Sequence, residues 1–325
     1  MTHLQLPTWN TELPHAERID QIYNQLEEWI RSDTLQELSH EWGGAPPHEE
    51  STEALFDWFD EFSESHWDFR KGRERNLATA PVLSDAQAAA AVTAADSIGL
   101  SDSRGPSRAQ YDYALILGGL VRACMTRPAY AAEVLGSGAT LSSVVALGGF
   151  RALSKDEVEL GESLGANAEN EFGAMIAGLQ RSFAELSTPL VDRSSEQSGN
   201  AGWAVATFEE RPIQVIAAPS REPDVRRANT ADTFAWWAKR QGSDIHHANI
   251  LLITNPIYVP YQGAAAIENL AIPFDVNVET VGISSAASDL GTHTQVFGPP
   301  NFLQETRSAI RGYRSLLKAV KRIAG

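Results

Sequence analysis

Three arginines crowd one stretch of the chain, Ser220-Arg221-Glu222-Pro223-Asp224-Val225-Arg226-Arg227-Ala228-Asn229-Thr230-Ala231-Asp232-Thr233, directly ahead of a helical pattern. Asn229 can cap that helix, with Asp232 as the third residue in. A helix N-terminus carries partial positive charge and free amides, so arginines beside it make an anion site. The competing arrangement is a solvated loop in which Glu222 and Asp224 pair with the arginines. Other candidate groups follow short apolar runs. Gly118, Gly119 and Arg122 follow Tyr113–Leu117; Gly148, Gly149, Phe150 and Arg151 follow Ser143–Leu147; Asn255, Tyr258, Tyr261 and Gln262 follow Ile250–Thr254. Paired glycines let the backbone turn tightly and approach a ligand. The forked guanidinium of Arg151 suits a phosphate or carboxylate. Two tyrosines and a glutamine suit stacking on a flat group and hydrogen bonding to it. A plain strand-to-helix turn and tyrosine packing at a helix start are the bland alternatives.

Glu157, Glu171 and Asp232 are the carboxylates near these exits. Ser154 and Glu157 form a capping-box pattern, which explains both. Glu171 lies early in a helix, where a negative charge also suits the dipole. Glu171 and Asp232 are the candidates for moving protons, with Arg122, Arg151, Arg226 and Arg227 stabilising charge. His293 is the one histidine placed toward the exits; His246 and His247 precede a strand and fall at the other end. No His, Cys and Asp spacing marks a metal site, so no metal is expected. There is no Gly-x-Gly-x-x-Gly fingerprint, no phosphate-loop motif and no Gly-x-Ser-x-Gly elbow. Group transfer or hydrolysis therefore fits better than redox chemistry.

The elements that must position these residues are legible in the periodicity. Ile19, Ile22, Tyr23, Leu26, Trp29 and Ile30 recur at helical steps. A second helix carries Leu55, Trp58, Phe59, Phe62 and Trp67, with acidic residues alternating among the aromatics; that face suits either a partner or the main domain. Ser84–Ala95 is an alanine-rich helix capped by Ser84. Gly99–Ser107 reads as a linker, and Leu190–Gly202 as a polar loop. From Tyr111 on, apolar runs alternate with helices: strands at Tyr113–Leu117, Ser143–Leu147, Trp203–Phe208, Ile213–Ala218, Ile250–Thr254 and Val276–Ile283, and a basic helix at Phe302–Ile323. Runs without alternation imply a sheet covered on both faces. The expectation is an α/β chain with a Rossmann-like, doubly wound, mainly parallel sheet over residues 109–325 and a helical region over 1–108. Ligands bind such sheets beyond the carboxyl ends of the strands, which is where the candidate residues cluster.

The chain has 325 residues, 43% of them hydrophobic, and a net charge of -16. So acidic a surface repels phosphate backbones and anionic lipids, which argues against broad nucleic-acid or membrane binding. A few arginines in one cleft can still hold a small anion. Cys124 is the only cysteine, so no intrachain disulfide can form; an apolar setting suggests a buried thiol. Met1–Glu17 lacks a basic region followed by an apolar run, so no signal peptide is expected. No stretch approaches the roughly 18 apolar residues of a membrane span, and a cytoplasmic location is expected.

Four segments together resemble the YdcF/SanA/ElyC-type family over about residues 112–270. They are Asp112–Gly119, Leu147-Gly148-Gly149-Phe150-Arg151, Arg227-Ala228-Asn229-Thr230-Ala231-Asp232-Thr233 and Leu251-Leu252-Ile253-Thr254-Asn255. The resemblance implies a Rossmann-like fold and a pocket lined by Gly118, Gly119, Gly149, Asn229, Thr230 and Thr254. It also implies a nucleoside-type ligand such as S-adenosylmethionine. Many members carry His and Arg after the fourth motif; here Tyr258, Tyr261 and Gln262 occupy that place.

Two functional expectations result. One is an enzyme acting on a small anionic, nucleotide-like or phosphorylated molecule. The other is a metabolite-binding or sensor module whose N-terminal helices meet a protein partner, or a homodimer.

Overall fold

A computed structural model describes residues 4–48, 50–69, 81–101, 104–194 and 200–324. Residues 102–103 of the expected linker and 195–199 of the expected polar loop lie outside the described residues. In chain order the elements are α1 (His15–Ile30), α2 (Asp33–His40), α3 (Thr52–Trp67), α4 (Asp85–Ser97), β1 (Gln110–Leu117), α5 (Val121–Gly136), β2 (Thr140–Gly148), α6 (Lys155–Ser163) and α7 (Glu171–Ser182). Then come β3 (Leu190–Arg193), β4 (Ala204–Phe208), β5 (Ile213–Ala217), α8 (Thr230–Gln241), β6 (Asn249–Thr254) and α9 (Val259–Ala266). A π turn at Ile267–Ala271 leads into the single turn α10 (Ile272–Phe274), then β7 (Asn277–Gly282), α11 (Ser285–Ser288) and α12 (Pro299–Ala324).

The chain forms two compact units. One holds residues 1–102, 256–268 and 296–325; the other holds 103–255 and 269–295. The sequence reading divides the chain once, near residue 108. Helical periodicity reports which face of a helix is apolar, not which partner covers it, so α12 could not be assigned from its own pattern.

In the sheet unit, seven strands run in the order β3-β4-β5-β2-β1-β6-β7. The five strands β5, β2, β1, β6 and β7 are parallel. β4 is antiparallel to both β3 and β5. This mostly parallel α/β sheet, with helices ahead of it in the chain, is consistent with a Rossmann-like fold. β3 falls within the stretch read as a loop. All four of its residues are exposed, so no apolar pattern announced it.

Both faces of the central strands are buried. Ala114, Ile116, Val144, Ala146, Val215 and Ile253 share one core with Cys124, Met125 and Ala131 of α5 and Ala174, Met175 and Leu179 of α7. On the other face Leu115, Val145 and Leu252 are buried, and Tyr113 meets Trp237 of α8 edge-on at 5.0 Å. Each fully buried aliphatic side chain contributes about 1.5–3 kcal/mol. Helix starts are fixed by side-chain caps: Ser154 with Glu157 for α6, Asn170 for α7, and Asn229 with Asp232 for α8. α5 contains Pro128, which cannot donate to the Cys124 carbonyl one turn earlier. That carbonyl faces Gly178 of α7, and a methyl group on Gly178 would overlap its oxygen.

The helical unit is organised by α12, which packs against α1, α3, α4 and α9. Its Tyr313 meets Trp29 of α1 edge-on at 4.7 Å, and Trp29 Nε1 donates to the Ile98 carbonyl at 3.3 Å. The alternation in α3 has a local explanation. Phe56, Phe59 and Phe62 are buried, while Asp57 and Asp60 take Arg314 and Arg307 from α12. Among the described residues no helix is long and apolar enough to cross a membrane.

Candidate functional site

β1 ends at Leu117, and Gly118-Gly119-Leu120 lead into α5. Leu120 offers no side-chain cap, so the first amides of α5 need other acceptors. Glu157 supplies one: its Oε1 accepts from the Val121 amide at 3.1 Å. The same carboxylate accepts from the Ser154 amide at 3.1 Å within its own capping box. Arg151 grips Glu157 with both arms of its fork, at 2.8 Å each. It also donates to the Gly119 carbonyl at 2.9 Å and to Glu171 Oε2 at 3.3 Å. Glu171 lies against Gly118, where a methyl group would overlap Glu171 Oε1 and stand 2.5 Å from the Leu147 carbonyl. Only glycine fits at residue 118.

A further arginine completes the cluster. Arg127 of α5, 4% exposed, donates to Asn255 Oδ1 at 2.9 Å, to the Leu117 carbonyl at 2.7 Å and to the Gly118 carbonyl. It ties the β1 exit to the β6 exit. Sequence reasoning missed it; the available signal was a charged residue on the apolar side of a helix, among Cys124, Pro128 and Ala131.

The environment separates the two glutamates. Burial raises the Glu171 carboxyl above its ordinary range, and Arg151 and Arg127 only partly oppose this. Burial also pushes Glu157 upward, but the hydrogen bonds and charge of Arg151 outweigh it and the net shift is downward. Two carboxyls with opposed shifts beside one guanidinium let one hold a proton while the other stays ionised. Burial, reinforced by Glu171, pushes the Cys124 thiol up, which keeps it protonated and unreactive.

The β5–α8 loop adopts the internally paired arrangement. Arg221 and Arg226 both bind Asp232, and Arg226 also binds Glu222 at 2.7 Å. The Asp232 side chain is fully buried and forms the capping box with Asn229, each amide accepted at 3.0 Å. Burial alone would raise its pKa, but Arg226, Arg221 and the Asn229 amide bring it down to about 2. A carboxyl held that low is a weak base, and its evident work is to start α8. Thr230 is the first residue of that helix, and Arg227 beside it is exposed.

This pairing has a measurable consequence. The folded pKa of Asp232 lies below its ordinary value of 3.8. Its stabilisation is therefore fully present above pH ~4 and lost as pH falls toward 2. Asp232→Asn keeps a capping side chain but loses about 2 kcal/mol at neutral pH. In urea titrations the gap between variant and wild type should close on acidification. A gap that is constant with pH would contradict the assignment.

The remaining candidates are dispersed. A methyl group on Gly148 would stand 3.1 Å from Phe172 Cα, and the Gly149 carbonyl accepts from the Phe172 amide at 2.9 Å. Arg122 donates to the His293 carbonyl at 2.8 Å, so His293 takes part through its backbone. Thr254 is fully buried at the β6 exit, and its hydroxyl has no hydrogen-bond partner among the described residues. Tyr258, Tyr261 and Gln262 belong to the helical unit. There Tyr258 meets Phe297 edge-on at 6.0 Å, and Tyr261 lies over Gly312.

A family model described as the Rv3785 N-terminal domain matches residues 14–99. Over nearly its full length the chain is similar to three mycobacterial proteins. Rv3785 and MT3893 of Mycobacterium tuberculosis and Mb3814 of Mycobacterium bovis are each 30% identical over 339 residues, covering 96% of this chain and 94% of theirs. All three are described only as uncharacterized proteins. No solved structure matches.

Proposed function

The chain belongs to the Rv3785 protein family, and within it we propose that the sheet unit is an enzyme acting on a small anionic, nucleotide-like or phosphorylated metabolite. Its site lies at the carboxyl ends of the parallel strands, and its reaction is group transfer or hydrolysis. The observation that carries this reading is the Arg151–Glu171–Gly118 cluster. A mostly buried carboxyl with a raised pKa stands against a glycine whose missing side chain makes room for it. We read the sheet as doubly wound. From β1 the chain moves to β2 and on to the edge strand β3, folds back through β4 to β5 beside β2, then crosses to β6 and β7 on the other side of β1. The β1/β6 border is then the switch point where such sheets take ligands.

Charge balance suggests how the site works. The cluster contains two guanidiniums, Arg127 and Arg151, and two carboxyls, Glu157 and Glu171. With Glu171 protonated, one positive charge is in excess; with it ionised, the cluster is neutral. Anion binding near Gly119 therefore favours a proton on Glu171. That proton can pass to a leaving oxygen, and the carboxylate formed can accept one from an attacking hydroxyl or water. The unpartnered Thr254 hydroxyl is a further polar contact for a ligand, since leaving it unsatisfied costs about 1–3 kcal/mol. The YdcF/SanA/ElyC-type resemblance adds S-adenosylmethionine to the ligand classes. The solitary buried Cys124 agrees with a cytoplasmic location.

The test is calorimetric titration of the full chain with ATP, AMP, S-adenosylmethionine and inorganic phosphate, in two buffers of different ionisation enthalpy. At least one should bind with net proton uptake, and Glu171→Gln should abolish the uptake. Absence of binding by every class would sink the proposal. The full pairing of Arg151 with its own carboxylates favours a second reading, binding without turnover. A bound compound that stays chemically unchanged on long incubation would select it.

A further inference from the structure

We propose that His246, His247 and Asp275 form a binding site for a divalent transition-metal ion of the Zn2+ type at the amino-terminal edge of the sheet. The topology assembles it. β6 and β7 are parallel neighbours paired from Asn249↔Asn277 onward, so the segments entering them arrive side by side. His246 and His247 stand just before β6, and Asp275 just before β7. The His247 amide donates to the Asp275 carbonyl at 2.9 Å, and the Asn277 amide to the Ala248 carbonyl at 2.9 Å. No sequence spacing reveals the trio, because Asp275 lies far along the chain.

Donor chemistry and geometry suit such an ion. One ligand atom from each residue lies within 4.8 Å of the others. Asp275 Oδ2 is 3.6 Å from His247 Nδ1 and 3.9 Å from His246 Nδ1. A tetrahedral ion with arms of about 2.0–2.2 Å spaces its ligands by about 3.3–3.6 Å. Small ring rotations close the difference, and both imidazoles are exposed enough to make them, at 60% and 59%. Two imidazoles and one carboxylate are a borderline set that favours Zn2+ and its neighbours over Ca2+ or Mg2+.

Two independent observations point the same way. Among the described residues, the non-glycine residues with positive φ are His247 at 61° and Asp275 at 50°. Left-handed backbone at non-glycine residues is a local cost that recurs at functional sites, and here it falls on two of the three donors. His246 and His247 line a hollow of about 420 Å³, together with Asp112, Tyr113, Ser143 and Asp244. The carboxylates of Asp112 and Asp244 stand in the same hollow, where negative charge attracts a cation. A set of three protein ligands, two of them on a hollow, leaves a coordination position for water or a small ligand.

The experiment uses the full chain, stripped with EDTA, dialysed, and titrated with ZnCl2 and CoCl2. Asparagine tolerates left-handed backbone, so His247→Asn and Asp275→Asn remove ligands without refolding the turns; His246→Gln is the third variant. We expect one ion per chain with affinity on the order of micromolar or better. Cobalt should give visible absorption of tetrahedral intensity. Each variant should bind on the order of 10-fold more weakly, while its metal-free melting temperature stays at the wild-type value. No saturable binding of either metal would overturn the proposal, leaving the trio as an ordinary surface cluster. So would binding that survives intact in the His246→Gln/His247→Asn double variant.

Discussion

Gly178→Ala lowers stability by about 3 kcal/mol or prevents folding, although it adds a single methyl group to a helix. α5 and α7 meet so closely there that the new carbon would overlap the Cys124 carbonyl oxygen and lie 2.9 Å from its carbon. A flexible side chain could swing aside, but helix backbone cannot. The carbonyl is available for this contact because Pro128 gives it no amide, and a Cα–H of Gly178 is its natural substitute. Gly136→Ala is the control. None of the described residues lies within 4 Å of its added carbon, so it should be neutral or stabilising by up to about 1 kcal/mol. Chemical denaturation of both variants separates the cases, and a Gly178→Ala protein as stable as wild type would refute the close approach.

Arg151→Ala costs about 3 kcal/mol, because it strips the counter-charge from two largely buried glutamates at once. The side chains of Arg151, Glu157 and Glu171 are only 20%, 12% and 15% exposed, so solvent replaces little of what is lost. Adding Glu171→Gln to Arg151→Ala should restore on the order of 1–2 kcal/mol, a coupling read from the double-mutant cycle. The pH dependence carries a definite sign. Glu171 holds its proton more tightly when folded than at its ordinary value near 4.5. Stability should therefore fall as pH rises through that value and level off above the folded pKa. In Arg151→Ala the decline should extend to higher pH, and in Glu171→Gln this component should vanish. A double mutant no more stable than Arg151→Ala would refute the pairing.

The parallel strands were legible because burial on two faces makes each an uninterrupted apolar run, as at Ala114–Leu117 and Leu251–Ile253. β3 carried no such run, being an exposed edge. α2 is eight residues long, with only Leu35, Leu38 and Ser39 buried, too short for a clear period. Glycine exits and cap residues were readable because their causes are local. The cluster at Gly118 was not, since its bonds join residues distant in sequence: Val121 with Glu157, Arg151 with Glu171, and Arg127 with Asn255. Arg122 was singled out for its position after the glycines, yet the neighbouring Arg127 is the one that bridges two strand exits.

The discontinuity of the helical unit bears on how the chain is made. Arg307 and Asp60 pair across 247 residues, and Trp29 waits for Tyr313. During synthesis α1, α3 and α4 emerge long before α12 leaves the ribosome, so their apolar faces stay uncovered while the whole sheet is translated. A fragment limited to residues 14–99 would keep Phe56 and Phe59 permanently in that state, and it should be recovered as aggregate unless α12 is supplied in trans as a peptide.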